Sequence, residues 1–423
     1  MKFRQQEDDR SFGGDLPVGD LLGNQQLDFL VYRSENSVEG GAVQPCFLGA
    51  FTSDGSILWQ KGEGGYQPNR PGPVALYDID GDGHDEVICL FATRKNLDPF
   101  SMQGVELQIL NGSDGSIIKS ARPPLILSAN GEGANWVHQR ILVAHLSDAQ
   151  RPQDFIIKLG KMLLAFDRDL NVLWTYDNEN DSYQNCPAYI PSLGDIDGDG
   201  RNEINGGYYL LNEDGKVLWE KKLGKNMDSV TIHYWDDANK KRAFCSGEGF
   251  IMDEKGDTIL MLGAEIVLHG QELRVANFDP HSTGPEMAIR YEGHKPAVRI
   301  FNTSGEVLSE FVLNDSPNHT GMEAIFWHGK NAPALLYNGG AHWQGNGTHL
   351  ASFMELPTPP SGPKRQGWYH CIPLDISGDD GEEVLVYNPW DKDLFIFAAP
   401  RENWMDLKPF HPTVRQYNVR LMD

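Results

Sequence analysis

Short apolar segments alternate with polar turns along the chain, and no long segment has the spacing of an amphipathic helix. The clearest recurring unit is a polar turn containing Asp-Gly, followed by β-branched or aliphatic residues and often by tryptophan. Its cleanest copy runs from Asp214-Gly215 to Val217-Leu218-Trp219. An Asp-Gly pair between two extended segments is typical of a β-hairpin. The pattern therefore predicts short antiparallel strands joined by tight turns.

This hairpin unit recurs along the whole chain, at 53–59, 113–118, 169–174, 213–219, 255–260, 304–308, 345–350 and 391–395. Each copy follows an acidic loop or an eroded relative of one, at 19–28, 78–86, 147–154, 195–203, 236–237, 279–286, 328–332 and 375–383. The units are roughly 40–65 residues apart, close to the length of a four-stranded propeller blade. A closed propeller also avoids long exposed sheet edges. We therefore predict an all-β fold, a β-propeller of eight four-stranded blades (seven as the alternative), formed as a single domain by residues 1–423.

Two of the acidic loops, Asp78–Glu86 and Asp195–Glu203, are nearly identical, and Asp375–Glu383 is a weaker third copy. Carboxylates stand at alternate positions, and glycine at the sixth position allows the sharp bend that a cation site requires. An EF-hand would place its last acid at position twelve, between two helices. Here the acid stands at position nine and precedes an apolar segment, which indicates a loop between two strands.

Oxygen donors in this arrangement favour calcium, with a structural role inside the blade. Hydrated turns are the simpler alternative, and a calcium ion that also binds a substrate carboxylate is the more specific one. The predicted side-chain ligands are Asp78, Asp80, Asp82, Glu86, Asp195, Asp197, Asp199, Glu203, Asp375, Ser377, Asp379 and Glu383. The backbone carbonyls of His84 and Arg201 are predicted to add one ligand each.

Polar side chains are concentrated just ahead of the acidic loops, where the innermost strands of a propeller begin at one end of the central channel. Gln139 and Gln271 occupy equivalent repeat positions there. The candidate catalytic residues are His138, His269, Arg290, Arg274, His294, Tyr291 and His370. The candidate substrate-binding residues are Gln139, Arg140, Gln271, Trp136, Trp368, Tyr369, Asn338 and Trp390. For any one histidine or tryptophan, a structural role is the alternative.

The net charge of −24 argues against nucleic acid as a partner, because phosphate binding requires basic surfaces. The five scattered cysteines form no CxxC motif and are expected to be buried thiols rather than disulfides or zinc ligands. No apolar run is long enough to span a membrane, so no membrane partner is expected. The N-terminal sequence shows no secretory signal, from which we expect a cytoplasmic protein.

The acidic loops and the Asp-Gly hairpins resemble FG-GAP-type calcium propeller repeats. The segment 275–280, together with Gly284-Pro285-Glu286, and the C-terminal segment 415–420 resemble rhamnogalacturonan lyases of the family 11 type. This resemblance implies an eight-bladed, calcium-containing propeller that cleaves a rhamnose–galacturonate backbone by β-elimination. The implied partner is an oligosaccharide that contains uronic acid.

A lyase of this kind needs a group that neutralises the uronate carboxylate, a base for the C5 proton and an acid for the departing oxygen. Arg274, Arg290 or Arg140 could bind the carboxylate, and a histidine could act as the base. His138, His269 and Arg290 are the first choices. Two alternatives stay open: a propeller that binds glycans or proteins without catalysis, and a glycoside hydrolase that uses paired carboxylates such as Glu272 and Glu323.

Overall fold

The computed structural model describes residues 15–400 and Asn418, apart from 37, 39, 69, 130–135, 137, 148–149, 181, 183–184, 238, 283, 294, 314–321, 339–340, 353–355, 357–369, 379–380 and 388–392. Of the candidate residues, His294, Trp368, Tyr369, Asp379 and Trp390 lie outside this part of the chain. Across the described residues the fold is almost entirely β, with one short helix, α1 (Pro124–Leu127).

The first four sheets each contain four antiparallel strands in sequence order, and we number them as blades 1 to 4. Blade 1 contains β1 (Val18–Gly19), β2 (Asp28–Ser34), β3 (Pro45–Thr52) and β4 (Ile57–Gly62). Blade 2 contains β5 (Val74–Tyr77), β6 (Glu86–Ala92), β7 (Val105–Leu110) and β8 (Ile117–Ala121). Blade 3 contains β9 (Arg140–Ala144), β10 (Asp154–Leu159), β11 (Met162–Asp167) and β12 (Val172–Asp177). Blade 4 contains β13 (Ser192–Gly194), β14 (Glu203–Asn205), β15 (Tyr209–Leu211) and β16 (Val217–Glu220).

Blades 5 to 7 repeat this order, and blade 8 has three strands within the described residues. Blade 5 contains β17 (Val230–Asp237), β18 (Lys240–Cys245), β19 (Phe250–Met252) and β20 (Thr258–Met261). Blade 6 contains β21 (Glu272–Ala276), β22 (Glu286–Arg290), β23 (Ala297–Phe301) and β24 (Val307–Val312). Blade 7 contains β25 (Glu323–Ile325), β26 (Leu335–Asn338), β27 (Ala341–Trp343) and β28 (His349–Ser352). Blade 8 contains β29 (His370–Leu374), β30 (Glu383–Tyr387) and β31 (Leu394–Phe397).

The eight sheets close into a ring, which confirms the predicted eight-bladed propeller. First strands of successive blades contact one another, as β13 does with β17 and β17 with β21. The ring closes where Leu16, Val18 and Phe29 of blade 1 pack with Leu374 and Tyr387 of blade 8 in one apolar cluster. Apolar side chains between the blades thus form the core, and the first strands line a central channel.

The Asp-Gly hairpins join the third and fourth strands of a blade, and the backbone conformation of these turns explains why they contain glycine. Gly215 has φ 75°, a conformation that costs little only without a Cβ. In blades 1 to 7 the turn is accompanied by a β-bulge, as between Leu210 and Leu211 in blade 4. The tryptophan after the bulge packs on the next blade. Trp174 Nε1 donates a hydrogen bond of 2.7 Å to the Glu213 carbonyl.

In six of the acidic loops the last acid holds the end of the preceding strand. Glu86 Oε2 accepts the Ile79 amide at 3.0 Å, and Glu203 Oε2 accepts the Ile196 amide at 2.8 Å. Glu286 does the same for Phe278. A carboxylate that accepts backbone amides in this way fixes the loop even where the other acids of the motif are missing. The acid at position nine therefore has a structural role, which we call the clamp: it holds the loop to the end of the first strand of its blade.

Replacing Glu286 by alanine should lower the free energy of unfolding by about 1–3 kcal/mol. The side chain is fully buried, and its Oε2 accepts the amides of Phe278 at 2.6 Å and Asp279 at 3.1 Å. Without it, both amides lose their partner in a buried loop. Urea unfolding of the variant measures the loss, and Glu306→Ala, at an exposed position, is the control. Equal midpoints for the two variants would contradict the clamp.

All five cysteines are free thiols, and four of them are buried. Burial raises the pKa of the Cys89 and Cys46 thiols to about 12. Both are therefore protonated, apolar packing groups at neutral pH, as expected from the sequence. Within the part of the chain that the structure covers, no helix is long and apolar enough to cross a bilayer.

Candidate functional site

The first strands of the blades begin at one end of the central channel, which we call the mouth. Its polar side chains come from the segments that precede or begin β9, β13, β17 and β21. Those used below are His138, Gln139, Arg140, Tyr189, Asn226, Asp228, His269, Gln271 and Glu272. The second strands end at the same place and add Lys158 and Arg290. Residues far apart in sequence thus meet because the blades repeat around one axis.

His269 is the catalytic candidate that reaches the mouth surface. Its side chain is 47% exposed, and its Nε2 lies 2.9 Å from Asp228 Oδ2, whose side chain is only 4% exposed. The hydrogen bond to Asp228 raises the pKa of His269, although partial burial opposes the shift. A half-exposed imidazole held by a buried carboxylate can transfer protons near neutral pH.

A chain of polar contacts continues from this pair across the neighbouring blades. Asn226 Nδ2 donates to Asp228 Oδ1 at 2.8 Å and lies 3.5 Å from the Tyr189 hydroxyl. The Tyr189 ring stacks on His138, with ring centres 4.9 Å apart. His138 itself is 2% exposed. It therefore lies beneath the mouth surface, linked to His269 through three side chains.

Most of the other sequence candidates at the mouth are buried in structural contacts. Gln139 accepts the Val43 amide at 2.8 Å and donates to the Trp136 carbonyl at 3.0 Å, so it connects two blades. Arg140 pairs with Asp15, which also accepts the Tyr32 hydroxyl. The predicted substrate contacts of these residues stay predictions, and their observed contacts are within the protein.

Arg290 and Glu272 form an ion pair under the mouth. They face each other across β21 and β22, with 3.0 Å between Nε and Oε2, and both side chains have zero exposure. The Gln271 side chain beside them is 3% exposed. Arg290 is thus placed to stabilise the floor of the mouth and, through its charge, to oppose protonation of His269.

Arg274 lies farther down the channel. A cavity of about 410 Å³ lies there, lined mainly by first-strand residues of several blades. Arg274 binds both carboxylate oxygens of Glu323, with 2.9 Å between Nε and Oε2. Asn418 also lines this cavity, and its side-chain amide bonds the backbone N–H and C=O of Val143 at 2.8 and 2.9 Å. Both acids proposed for a hydrolase, Glu272 and Glu323, are therefore engaged by arginines.

The side chains of the remaining described candidates make their contacts elsewhere than at the His269–Asp228 pair, although the Tyr291 carbonyl accepts the His269 amide at 3.1 Å. The Tyr291 hydroxyl donates to Glu310 at 2.9 Å, towards the outer strand of blade 6. His370 stacks on Tyr387 with 5.5 Å between ring centres. Trp136 and Asn338 are buried, at 3% and 0% exposure.

Asp228 was not singled out from the sequence, although a signal for it exists. Ser229 and Ser246 of blade 5 pair where Glu272 and Arg290 pair in blade 6. Asp228 therefore occupies the repeat position of Gln271, and also that of Gln139. Extending the alignment of those two glutamines to blade 5 would have pointed to it.

Two acidic loops at the opposite end of the propeller have the geometry of a cation site. Ligand oxygens of Asp78, Asp80 and Glu86 lie within 4.8 Å of one another, and so do those of Asp195, Asp197 and Asp199. Their amide contacts match as well, since Gly81 donates to Asp78 at 2.5 Å and Gly198 to Asp195 at 2.6 Å. The two loops are therefore built alike.

The donor set of these loops fits a metal ion. Glu203 Oε1 is buried and has no hydrogen-bond partner among the described residues. Burial, with the charge of Asp80 adding to it, raises the pKa of Glu86 to about 8. Crowded carboxylates of this kind can hold a cation, which would remove their repulsion.

The third loop departs from this pattern. The Ser377 hydroxyl donates to Glu383 Oε1 at 3.0 Å, so the oxygen that stays available in Glu203 is used inside the loop. Asp375 still accepts the Gly378 amide at 2.6 Å. The predicted carbonyl ligands His84 and Arg201 stay predictions. The Arg201 side chain binds Asp199 and Glu213, at 2.8 and 2.7 Å.

The fold and the mouth together define an eight-bladed propeller with a polar site at one end of its channel. No family model matches the chain. The resemblance to rhamnogalacturonan lyases is confirmed by its relatives. The chain is 28% identical over 253 residues to the rhamnogalacturonan endolyase YesW of Bacillus subtilis (strain 168), and the match covers 50% of this chain and 40% of that protein. It is 25% identical over 378 residues to the exolyase YesX of the same organism, covering 76% of this chain and 59% of that protein.

A crystal structure of rhamnogalacturonan lyase YesW has the same fold. Its TM-score is 0.70 at 21% identity, over 92% of this chain and 73% of that one. The chain thus spans about half the length of the curated relatives it matches. The shared part is the propeller.

Proposed function

We propose that this protein is a polysaccharide lyase that cleaves rhamnogalacturonan by β-elimination, with the mouth as its active site. The observation that carries the proposal is the His269–Asp228 pair, a half-exposed imidazole 2.9 Å from a buried carboxylate. The rhamnogalacturonan lyases to which the chain is similar support the choice of substrate.

The reaction requires removal of the C5 proton of a uronate and departure of the oxygen at C4, which leaves a C4–C5 double bond. In this proposal the neutral imidazole of His269 takes the C5 proton, and Asp228 orients the ring and stabilises the imidazolium that forms. The leaving oxygen takes its proton from a second group. Tyr369, a candidate for returning this proton, and His294, another candidate base, lie outside the described residues.

Incubation with rhamnogalacturonan tests the proposal directly. A lyase releases oligosaccharides with an unsaturated uronate at the new end, which absorbs ultraviolet light. A hydrolase would produce chain shortening without this absorbance, and a binding propeller would produce neither. Absence of unsaturated products with calcium present, across rhamnogalacturonan chains of several lengths, would rule out the proposed activity.

Replacing Asp228 by asparagine should move the acidic limb of the pH–rate profile to lower pH. The carboxylate raises the pKa of His269, so its loss lowers that pKa and makes the neutral base available at lower pH. The limiting rate should fall as well, because the ring loses its orienting acceptor. The profile of kcat/KM measures both effects. A profile that keeps its midpoint would contradict the role of Asp228.

We further propose that the loops Asp78–Glu86 and Asp195–Glu203 bind calcium. The support is their all-oxygen donor set, the convergent carboxylates and the buried Glu203 Oε1. When bound, calcium would neutralise the crowded carboxylates and fix the connection between the first and second strands of blades 2 and 4. Both loops lie at the end opposite the mouth, so their role is structural.

Calcium should raise the melting temperature and a chelator should lower it. At about one hundred times the dissociation constant, one site adds about 2.7 kcal/mol to the free energy of unfolding. Asp80→Asn and Asp197→Asn should each remove part of the shift, because each removes one ligand. Asp54→Asn, in an exposed hairpin turn, is the matched control. A melting temperature that is insensitive to calcium would contradict both sites.

A further inference from the structure

The joints between successive blades follow a rule at the end of the propeller opposite the mouth. In each of blades 1 to 6, the first residue of the fourth strand after the bulge faces the hairpin turn of the next blade. The side chains of Trp59, Trp174 and Lys119 each donate a hydrogen bond to a backbone carbonyl of that turn. The acceptors are the carbonyls of Gly112 at 2.6 Å, Glu213 at 2.7 Å and Arg168 at 2.9 Å, respectively. The three acceptors stand at the same place in their hairpins. A large side chain at this position fills the joint.

The joint between blades 6 and 7 breaks this rule because the position holds Ser309. Ser309 has the same position in the strand register as Trp174, since Ile300 pairs with Ser309 as Ala165 pairs with Trp174. The Ser309 hydroxyl keeps the hydrogen bond, donating to the Gly345 carbonyl. The serine contributes no ring, however. The ring that lies over the turn glycine in the joints of Trp59 and Trp174 is supplied here by Phe311, which packs over Gly347, and the space beside Ser309 stays open.

A cavity of about 320 Å³ occupies this joint. This volume is at the lower end of the range of about 300–1,000 Å³ for ligand pockets. Its floor contains the buried side chains of Phe278, Ile300 and Leu335. Its rim carries polar side chains from the loops of both blades: Asp279, His281, His328, Gln344 and Asn346.

We propose that this joint cavity binds a single neutral sugar ring of the glycan, as a second saccharide site remote from the mouth. The floor offers apolar contact to the C–H faces of a pyranose. The rim amides and imidazoles can donate and accept hydrogen bonds with its hydroxyls. This inference rests on the proposed function for the identity of the glycan.

Charge selects the neutral sugar over the uronate. Asp279 is the rim group that carries a fixed charge, and no lysine or arginine lines the cavity within the described residues. The net charge of −24 disfavours a bound carboxylate further. In a chain of alternating rhamnose and galacturonate, the neutral 6-deoxy sugar is therefore the unit that fits, since its methyl group can lie on the apolar floor.

The position of the cavity separates it from catalysis. It is lined by loops between first and second strands and by a hairpin between third and fourth strands, whereas His269 precedes a first strand. The two sites thus lie at opposite ends of the propeller. A sugar bound at the joint would hold a long chain on the protein without occupying the mouth.

Replacing Ser309 by tryptophan introduces the residue type found at this position in blades 1, 3 and 4 and should fill the cavity. The probe is methyl α-rhamnoside, with free galacturonate as the charged comparison, and binding is measured by saturation-transfer NMR and titration on the full chain. Wild type should bind the rhamnoside in preference to galacturonate. Ser309→Trp should weaken that binding by at least about tenfold, and Lys119→Trp, at the equivalent position of another joint, should leave it unchanged.

Two further variants keep the test decisive. If Ser309→Trp does not fold, Asn346→Ala, which removes an exposed rim amide, should weaken rhamnoside binding instead. His269→Ala should bind the rhamnoside as wild type does, which separates this site from the mouth. No rhamnoside binding, binding that survives both joint variants, or binding lost in His269→Ala would overturn the proposal. Lyase turnover is measured separately, so a protein that binds at the joint without turnover would refute only the proposed function.

Discussion

Turnover of rhamnogalacturonan should fall by about 10²–10⁴-fold when His269 is replaced by alanine. The imidazole is the group at the mouth that is both exposed and held by a buried carboxylate. Its removal leaves no base at that place, while binding groups elsewhere in the mouth are kept. The loss should therefore appear in kcat more than in KM.

The fold should survive this substitution, because nearly half of the side chain is exposed and it fills no core position. The melting temperature of His269→Ala should stay close to that of wild type. His349→Ala is the matched control, since His349 is exposed on an outer strand and bonds Ser352 at 2.9 Å. A fall in turnover of less than tenfold, or an equal fall in the control, would remove His269 from the chemistry.

The fold was predictable because its signals are local. An Asp-Gly turn must be close in sequence to the strands that it joins, and the clamp from Glu203 to Ile196 spans seven residues. Such features repeat once per blade and can be counted without knowledge of tertiary contacts. The fourth strand predicted for blade 8 has no counterpart within the described residues.

The site was predictable only in part, because burial depends on neighbours from other blades. His138, Gln139 and Arg140 have the composition of an active-site segment, and they lie where the first strand of blade 3 begins. Their contacts to Tyr189, Val43 and Asp15 turn them inwards, however. His269 is half-exposed and pairs with Asp228 of the preceding blade. Sequence shows residue types at a repeat position, but not the direction that each side chain takes.

The cavity at the joint between blades 6 and 7 also shows what sequence alone can and cannot predict. Ser309 stands in the sequence where Trp59 and Trp174 stand in other repeats, so the departure is visible without a structure. Its consequence is not visible, because a neighbouring side chain can compensate for it in part. Phe311 takes the place over the hairpin glycine, where a Cβ on Gly347 would lie 2.8 Å from its ring, and the space beside Ser309 still remains as a cavity.

Replacing Arg290 by methionine should lower the free energy of unfolding by about 3–5 kcal/mol. Arg290 and Glu272 are both fully buried, so the substitution removes a cation whose Nε lies 3.0 Å from a carboxylate oxygen in the protein interior. Thermal and urea unfolding measure the loss. Glu306→Ala, an exposed position on the same blade, should cost much less. This role differs from the catalytic role predicted for Arg290 from the sequence, which would leave stability intact.

The double variant Arg290→Met with Glu272→Leu separates these two roles. Both charges are then absent, so most of the lost stability should return, as for other buried ion pairs replaced by apolar side chains. If Arg290 acts only by supporting the floor of the mouth, turnover should recover together with stability. If it binds the uronate carboxylate, the double variant should be stable and still inactive. A single variant with wild-type stability and no turnover would show that the arginine meets the substrate directly, despite its burial.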